Sequence, residues 1–225
     1  MQSLDASKAL ILVIPTGNLV ADVAPVAAAD ISRDGRADVI LGSGSQQQAK
    51  VVILNSGRLL AGESAQSAIS FSFRPYGEFT GGAWVAAGDI NQDGHADVLT
   101  GAGAGGGPHV KLYDGRNLNA GNLATLRSFF PYPNSHSGCV RVAMNSAGEE
   151  GLGFAVSSGA GSVLPVIYYG TDYQETTRFS VYRQFGGARH VALGTTVNGA
   201  GDLLPFLVTG AGAGGGPHVL SFSAQ

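Results

Sequence analysis

Charge is scarce in this chain of 225 residues: 13% of positions are Asp, Glu, Lys or Arg, and 13 basic residues face 16 acidic ones. No basic cluster or basic amphipathic stretch stands out, so nucleic acid is not an expected partner. Cys139 is the one cysteine, which excludes an intrachain disulfide, and no CxxC or Cys/His cluster offers a zinc site. Long apolar runs are missing too. The stretch Ala9 to Pro15 has seven residues and Asp5 ahead of it, too short to span a bilayer and a poor export signal. Neither a membrane span nor a signal peptide is therefore expected within these residues, and an export signal would have to lie ahead of residue 1.

Glycine is abundant, at 35 residues, which implies many tight turns. Much of it falls into repeats. The segment Val26 to Ser43, VAAADISRDGRADVILGS, returns without a gap at Val85 to Ala102 as VAAGDINQDGHADVLTGA, so Asp89 stands 59 residues after Asp30. A third, eroded copy runs from Val142 to Gly161, where FAVSSGAG is set against DVLTGAGA and the acidic residues are gone. The fourth is Leu204 to Val219, whose GAGAGGGPHV at Gly210 to Val219 is identical to Gly101 to Val110. A period of this size signals a propeller, solenoid or array.

Each period reads as four short strands with turn signals between them, the pattern of a propeller blade. In the second copy these are Val85–Ile90, Ala96–Thr100, His109–Tyr113 and Thr125–Phe130. Small residues in the first strand, Ala86 and Gly88 among them, suit the crowded place where blades converge. The chain ends after the third strand of its last copy, Val219 to Phe222, while Leu10 to Ile14 aligns with the fourth strand Ile69 to Phe73. The expected fold is thus all-β, one domain over residues 1–225. It is a β-propeller of four four-stranded antiparallel blades, with repeats at about 26–83, 84–139, 140–189 and 190–225 plus 8–25, the N-terminal strand closing the last blade. A monomer satisfies this pairing. Exchange of that strand between two chains, giving an eight-blade homodimer, satisfies it equally. Met1 and the matching ends point to a self-contained unit rather than a piece of a longer array.

The copies also carry the chemistry. Asp30, Ser32, Asp34 and Asp38, and then Asp89, Asn91, Asp93 and Asp97, place oxygen side chains at positions one, three, five and nine of a loop. Arg36 and His95, at position seven, can each contribute a backbone carbonyl. Calcium takes six to eight hard oxygen ligands on a tightly folded loop, and Gly35 and Gly94 sit where the backbone must turn back. An EF-hand is excluded, because position twelve is Leu41 or Thr100 rather than Glu and strands flank the loop. The competing reading is that Asp and Asn cap these turns without an ion. Two copies with the same oxygen positions favour calcium, and Ser32 makes the first loop the weaker.

Strand-flanked loops of this kind, and GDINQDGHADVLTGAGAGGGPHV in particular, resemble the FG-GAP (VCBS-like) repeats of integrin α-chain propellers and of many bacterial surface proteins. The resemblance is strongest in copies one and two and weakest in three. It implies a propeller, calcium in the loops between first and second strands, an extracellular or cell-surface location, and adhesion or recognition of a protein or glycan. Two departures stand out. Integrin propellers have seven blades, and Gly148-Glu149-Glu150-Gly151 and Asn198-Gly199-Ala200-Gly201-Asp202 are not expected to bind calcium well.

Other signals are weaker. GAGAGGGPHV lacks the GK[ST] ending of a P-loop and reads as a strand connection. His109 and His218 read as structural hydrogen-bonding residues. The aromatics Phe71, Phe73, Tyr76 and Phe79, with Phe129, Phe130, Tyr132, Phe179, Tyr182 and Phe185, recur near the fourth strand and read as inter-blade packing. Trp84 is expected at a blade junction or on the central face. No Ser/His/Asp, Cys/His or paired-carboxylate set emerges, so a non-catalytic, calcium-stabilised structural or recognition module is expected rather than an enzyme. A lectin-like module is the first alternative. A hydrolase with polar groups at the central channel is the second.

Overall fold

The computed structural model describes residues 19–20, 25–145, 153–161, 163–182, 184–197, 200, 203–216 and 218–223. Four antiparallel sheets follow one another along the chain as the blades of a four-blade β-propeller. The first holds β1 (Val26–Ala29), β2 (Asp38–Gly42), β3 (Val51–Leu54) and β4 (Ile69–Phe73). The second holds β5 (Ala83–Gly88), β6 (Asp97–Ala102), β7 (Val110–Tyr113) and β8 (Thr125–Phe129). The third holds β9 (Val140–Met144), β10 (Phe154–Ser158), β11 (Val166–Tyr169) and β12 (Glu175–Phe179). The fourth is described with β13 (Arg189–Val197), β14 (Leu203–Ala211) and β15 (Val219–Ser223). The closing strand expected at Leu10 to Ile14 lies outside the described residues, and with it the choice between closed ring and strand exchange. Within each described sheet the strands pair in chain order, as hairpin connections dictate.

Strand character explains which layer each segment takes. The middle strands are largely apolar and buried throughout: Val51, Val52, Ile53 and Leu54 are all buried, as are all six residues of β6. A strand buried on both faces needs such a composition because neighbouring blades cover it from either side. The outermost strands are less covered, as in ISFSF of β4, where Ser70 and Ser72 are exposed and alternate with apolar residues. Apolar layers fill the space between blades. Ile40, Ile53, Val85, Val98 and Tyr113 join the first two, and Leu99, Leu112, Val142, Phe154 and Val156 join the second and third. Each fully buried aliphatic side chain contributes about 1.5–3 kcal/mol.

Between the third and fourth strands of the first two blades stand one-turn helices that strand patterning did not anticipate, α1 (Ser56–Leu60) and α2 (Gly115–Asn119). They begin at Asn55 and Asp114, whose side chains accept from Arg58 N and Asn117 N at 3.0 and 2.8 Å, as N-caps do.

The blades are joined by a repeated latch. Phe73 packs on Tyr113, Phe129 on Tyr169 and Phe179 on Phe222, with ring centroids 4.7, 5.1 and 4.8 Å apart. Three residues after each Phe, a tyrosine hydroxyl crosses into the next blade. Tyr76 donates to the His109 carbonyl at 3.1 Å, Tyr132 to that of Pro165 at 2.7 Å and Tyr182 to that of His218 at 3.1 Å. Burial raises the pKa of Tyr76 and of Tyr132, so both remain protonated donors. Inter-blade packing is therefore the role of most of the recurring aromatics.

These contacts also correct the alignment of the third copy. Gly101 pairs with Trp84, and a Cβ on it would sit 2.2 Å from the Val140 carbonyl oxygen of the next blade. The residue in that place in the third blade is Ser157, paired with Arg141 and donating to the Arg189 carbonyl at 2.8 Å. Phe154 therefore matches Val98 rather than Asp97. The shift by one residue also brings Gly159-Ala160-Gly161 onto Gly103-Ala104-Gly105, an identity that the first register misses.

Candidate functional site

The two acidic loops connect β1 to β2 and β5 to β6, as expected. Each is tied by its own carboxylates. Asp30 accepts from Asp34 N at 3.1 Å and Gly35 N at 2.8 Å, and Asp34 from Arg36 N at 2.9 Å. Asp89 accepts from Asp93 N at 3.0 Å and Gly94 N at 2.8 Å, and Asp93 from His95 N at 2.9 Å. Asn91 adds a bond from Asp93 N at 3.1 Å, whereas the buried Ser32 hydroxyl has no hydrogen-bond partner among the described residues. The fourth and sixth positions are left-handed in both loops: Arg33 and Gly35 at φ 60° and 81°, Gln92 and Gly94 at φ 59° and 86°. Glycine is needed at the sixth, and a side chain is tolerated at the fourth.

The ninth residue closes each loop from inside the blade. Asp38 and Asp97 are 1% and 0% exposed. Asp38 accepts from Ser32 N at 3.0 Å and, at the start of α1, from Ser56 N at 3.2 Å. Asp97 accepts from Ile90 N at 3.2 Å and from Gly115 N of α2 at 2.8 Å. Burial pushes the Asp97 carboxyl up to about 7, although three amide donors pull the other way. Among the described residues it has no ion pair, while Asp93 is paired with Arg116 at 3.2 Å.

The loops also touch one another. Asp30 O accepts from Ala96 N at 3.1 Å, and His95 Nδ1 lies 2.9 Å from Ile31 O.

The donor chemistry suits a hard cation: oxygen side chains at four positions, a backbone turned inward by two left-handed residues, and a buried carboxylate that burial alone disfavours as an anion. As they stand, the carboxylates are turned onto loop amides. Among the described residues, no three His, Cys, Asp or Glu side chains form a group that could hold a metal. The third and fourth loops, whose acidic spacing differs, lie outside the described residues except at Ala200.

The remaining motifs find structural places. GAGAGGGPHV connects β6 to β7, where Gly103 approaches the Gly81 carbonyl and Gly106 the Phe79 ring. His109 Nε2 lies 2.8 Å from Ser128 Oγ, and its ring stacks on the exposed Phe130 at 4.4 Å.

Two groupings had no sequence signal. Trp84, Arg141 and His190 occupy equivalent positions of consecutive inner strands, pairing with Gly101, Ser157 and Gly210. The Arg141 guanidinium lies 4.6 Å from the Trp84 ring centroid. Arg141 Nε and Nη1 are buried without hydrogen-bond partners among the described residues. The other is His136. It occupies the place that Phe79 and Phe185 hold in their blades, shifted by a one-residue insertion after Tyr132.

Comparison with known proteins covers part of the chain. Residues 30–100 match the model of an FG-GAP-like repeat, and residues 81–120 that of an FG-GAP repeat. No curated protein matches. A crystal structure of a protein of unknown function from Bacteroides caccae is similar over 91% of this chain and 62% of that one, at 10% identity and a TM-score of 0.38. The chain thus spans less than two thirds of that protein's length.

Proposed function

Because residues 30–120 consist of FG-GAP repeats, we propose that the chain is a non-catalytic recognition module whose hairpin loops are fastened by calcium. FG-GAP propellers are typically non-catalytic and commonly extracellular, where calcium is plentiful and disulfides are not the only staple available. The observation that carries the calcium reading is Asp97, a fully buried carboxylate with no ion pair among the described residues, closing a loop whose first, third, fifth and ninth residues all carry side-chain oxygens.

In the second loop Asp89, Asn91, Asp93, Asp97 and the His95 carbonyl would hold the ion. In the first, Asp30, Ser32, Asp34, Asp38 and the Arg36 carbonyl would do so. The ion supplies positive charge that offsets carboxylate burial and cross-links two strands. It binds the native loop and not the unfolded chain, so it adds stability by mass action.

Calorimetry and melting in calcium against chelator test this. We expect a higher Tm in calcium, with the tighter binding event lost in Asp93→Ala and the weaker one lost in Asp34→Ala. Equal Tm values and no heat of calcium binding would remove the metal from the reading.

A further inference from the structure

The two acidic loops meet their one-turn helices differently. The second residue of the helix is Gly57 in the first blade and Arg116 in the second. Arg116 turns back onto its loop: Nε lies 3.2 Å from Asp93 Oδ2, and Nη2 donates to the Asp93 carbonyl at 3.3 Å. Asp93 Oδ1 already accepts from His95 N, so both oxygens of the fifth-position carboxylate are taken. In the first loop Asp34 Oδ1 accepts from Arg36 N in the same way, but Asp34 Oδ2 has no partner among the described residues. A Cβ on Gly57 would stand 3.5 Å from that oxygen, which is where an arginine stem would start.

A second guanidinium supplies the comparison. Arg33 of the first loop lies over Gly94 of the second, 3.0 Å from where a Cβ would stand, yet it forms no ion pair among the described residues. Two cations thus flank the second loop, and one alone grips an oxygen that an ion would need. The bond from His95 N belongs to the backbone fold of the loop. Arg116 is 60% exposed on a flexible stem, so it is the partner that gives way at least cost.

We infer that Arg116 is a built-in competitor of calcium, neutralising Asp93 when no ion is bound and releasing that carboxylate when one is. The inference rests on the calcium reading above and adds the residue that limits affinity at one loop. Arg116 offsets part of the lead that Asn91 gives the second loop over Ser32 in the first. An exposed ion pair contributes little, so its removal should change affinity by about two- to fivefold.

Calorimetric titration of the full chain with calcium, in an Asp34→Ala background that silences the first loop, tests this. Adding Arg116→Gln should tighten binding about two- to fivefold, and should lower Tm in chelator but not in saturating calcium. Adding Arg33→Gln instead removes the neighbouring charge and installs the residue found at the equivalent position, Gln92. In about 0.15 M salt, which screens exposed charges that make no contact, it should leave affinity within about 1.5-fold of the background. In the wild-type chain the Arg116 Nε proton–nitrogen signal should move on calcium addition, while that of Arg74, paired with Glu78, should not. Equal or weaker binding with Arg116→Gln, an equal gain from Arg33→Gln, or an unmoved Arg116 signal overturns the inference and leaves calcium in its loop. No calcium binding in any of these proteins overturns the calcium reading, and this inference with it.

Discussion

His95 Nδ1, in the second acidic loop, lies 2.9 Å from the carbonyl oxygen of Ile31 in the first. A carbonyl can only accept, so this nitrogen carries the proton, and the two loops are held as a pair across the blade junction. His95→Ala removes that bond while leaving the position-seven carbonyl in place. It should cost about 1 kcal/mol, which for a domain of this size lowers Tm by about 2–4 °C. An unchanged Tm would mean that the Ala96-to-Asp30 amide bond alone holds the loops together.

Tyr76 contributes a hydroxyl to Thr100 Oγ1 at 2.9 Å and to His109 O at 3.1 Å. Tyr76→Phe keeps the ring, leaves the His109 carbonyl short of a donor and removes the hydroxyl partner of Thr100 Oγ1, for an expected loss of about 1–3 kcal/mol. Tyr182→Phe acts at a different junction, so denaturant midpoints of the double variant should show additive losses. Strong non-additivity would instead indicate that the junctions open together.

Gly101 has no room for a methyl group: its Cβ would fall 2.2 Å from backbone, at Val140 O. Gly101→Ala should push the second and third blades apart and cost about 1–3 kcal/mol or more. Gly186 has open space around its Cβ direction, and Gly186→Ala should stay within about 0.5 kcal/mol of wild type. Chemical denaturation of the pair is the measurement.

Burial, aided by the charge of Lys111, holds His109 below the ordinary imidazole range. As pH falls through about 6.5 the unfolded chain takes up this proton before the native state does. The native state therefore loses stability on acidification and keeps it above about 6.5. His109→Phe preserves the stack on Phe130 and removes the proton, at the expense of the Ser128 contact. Its stability relative to wild type should accordingly improve as pH falls from about 7.5 to 5.5. A difference between the two proteins that does not vary with pH would contradict this.

Much of the fold was legible because the repeats of copies one and two are near-identical: DISRDGRAD and DINQDGHAD mark the same hairpin twice, and alternating or continuous apolar runs mark the outer and middle strands. Acidic spacing likewise located the two loops, since backbone reversal and oxygen placement are local properties that nine residues can encode. The one-turn helices were harder to see, because five residues show no helical period, and only Asn55 and Asp114, as caps, could have announced them.

What tertiary structure decided is which residues of different blades meet. Ser157 rather than Ser158 stands opposite the next blade, Trp84 neighbours Arg141, and His136 takes the place of Phe79 and Phe185. These pairings join residues 32 to 57 positions apart by the rotation from one blade to the next, a relation that leaves no periodic trace within a blade. The sequence by itself determined strands, turns and loop chemistry, because each rests on backbone preference and side-chain type over a few residues. Junction chemistry depended on packing, because a buried group's neighbours, and so its charge and its unmet hydrogen bonds, exist only once the blades are side by side.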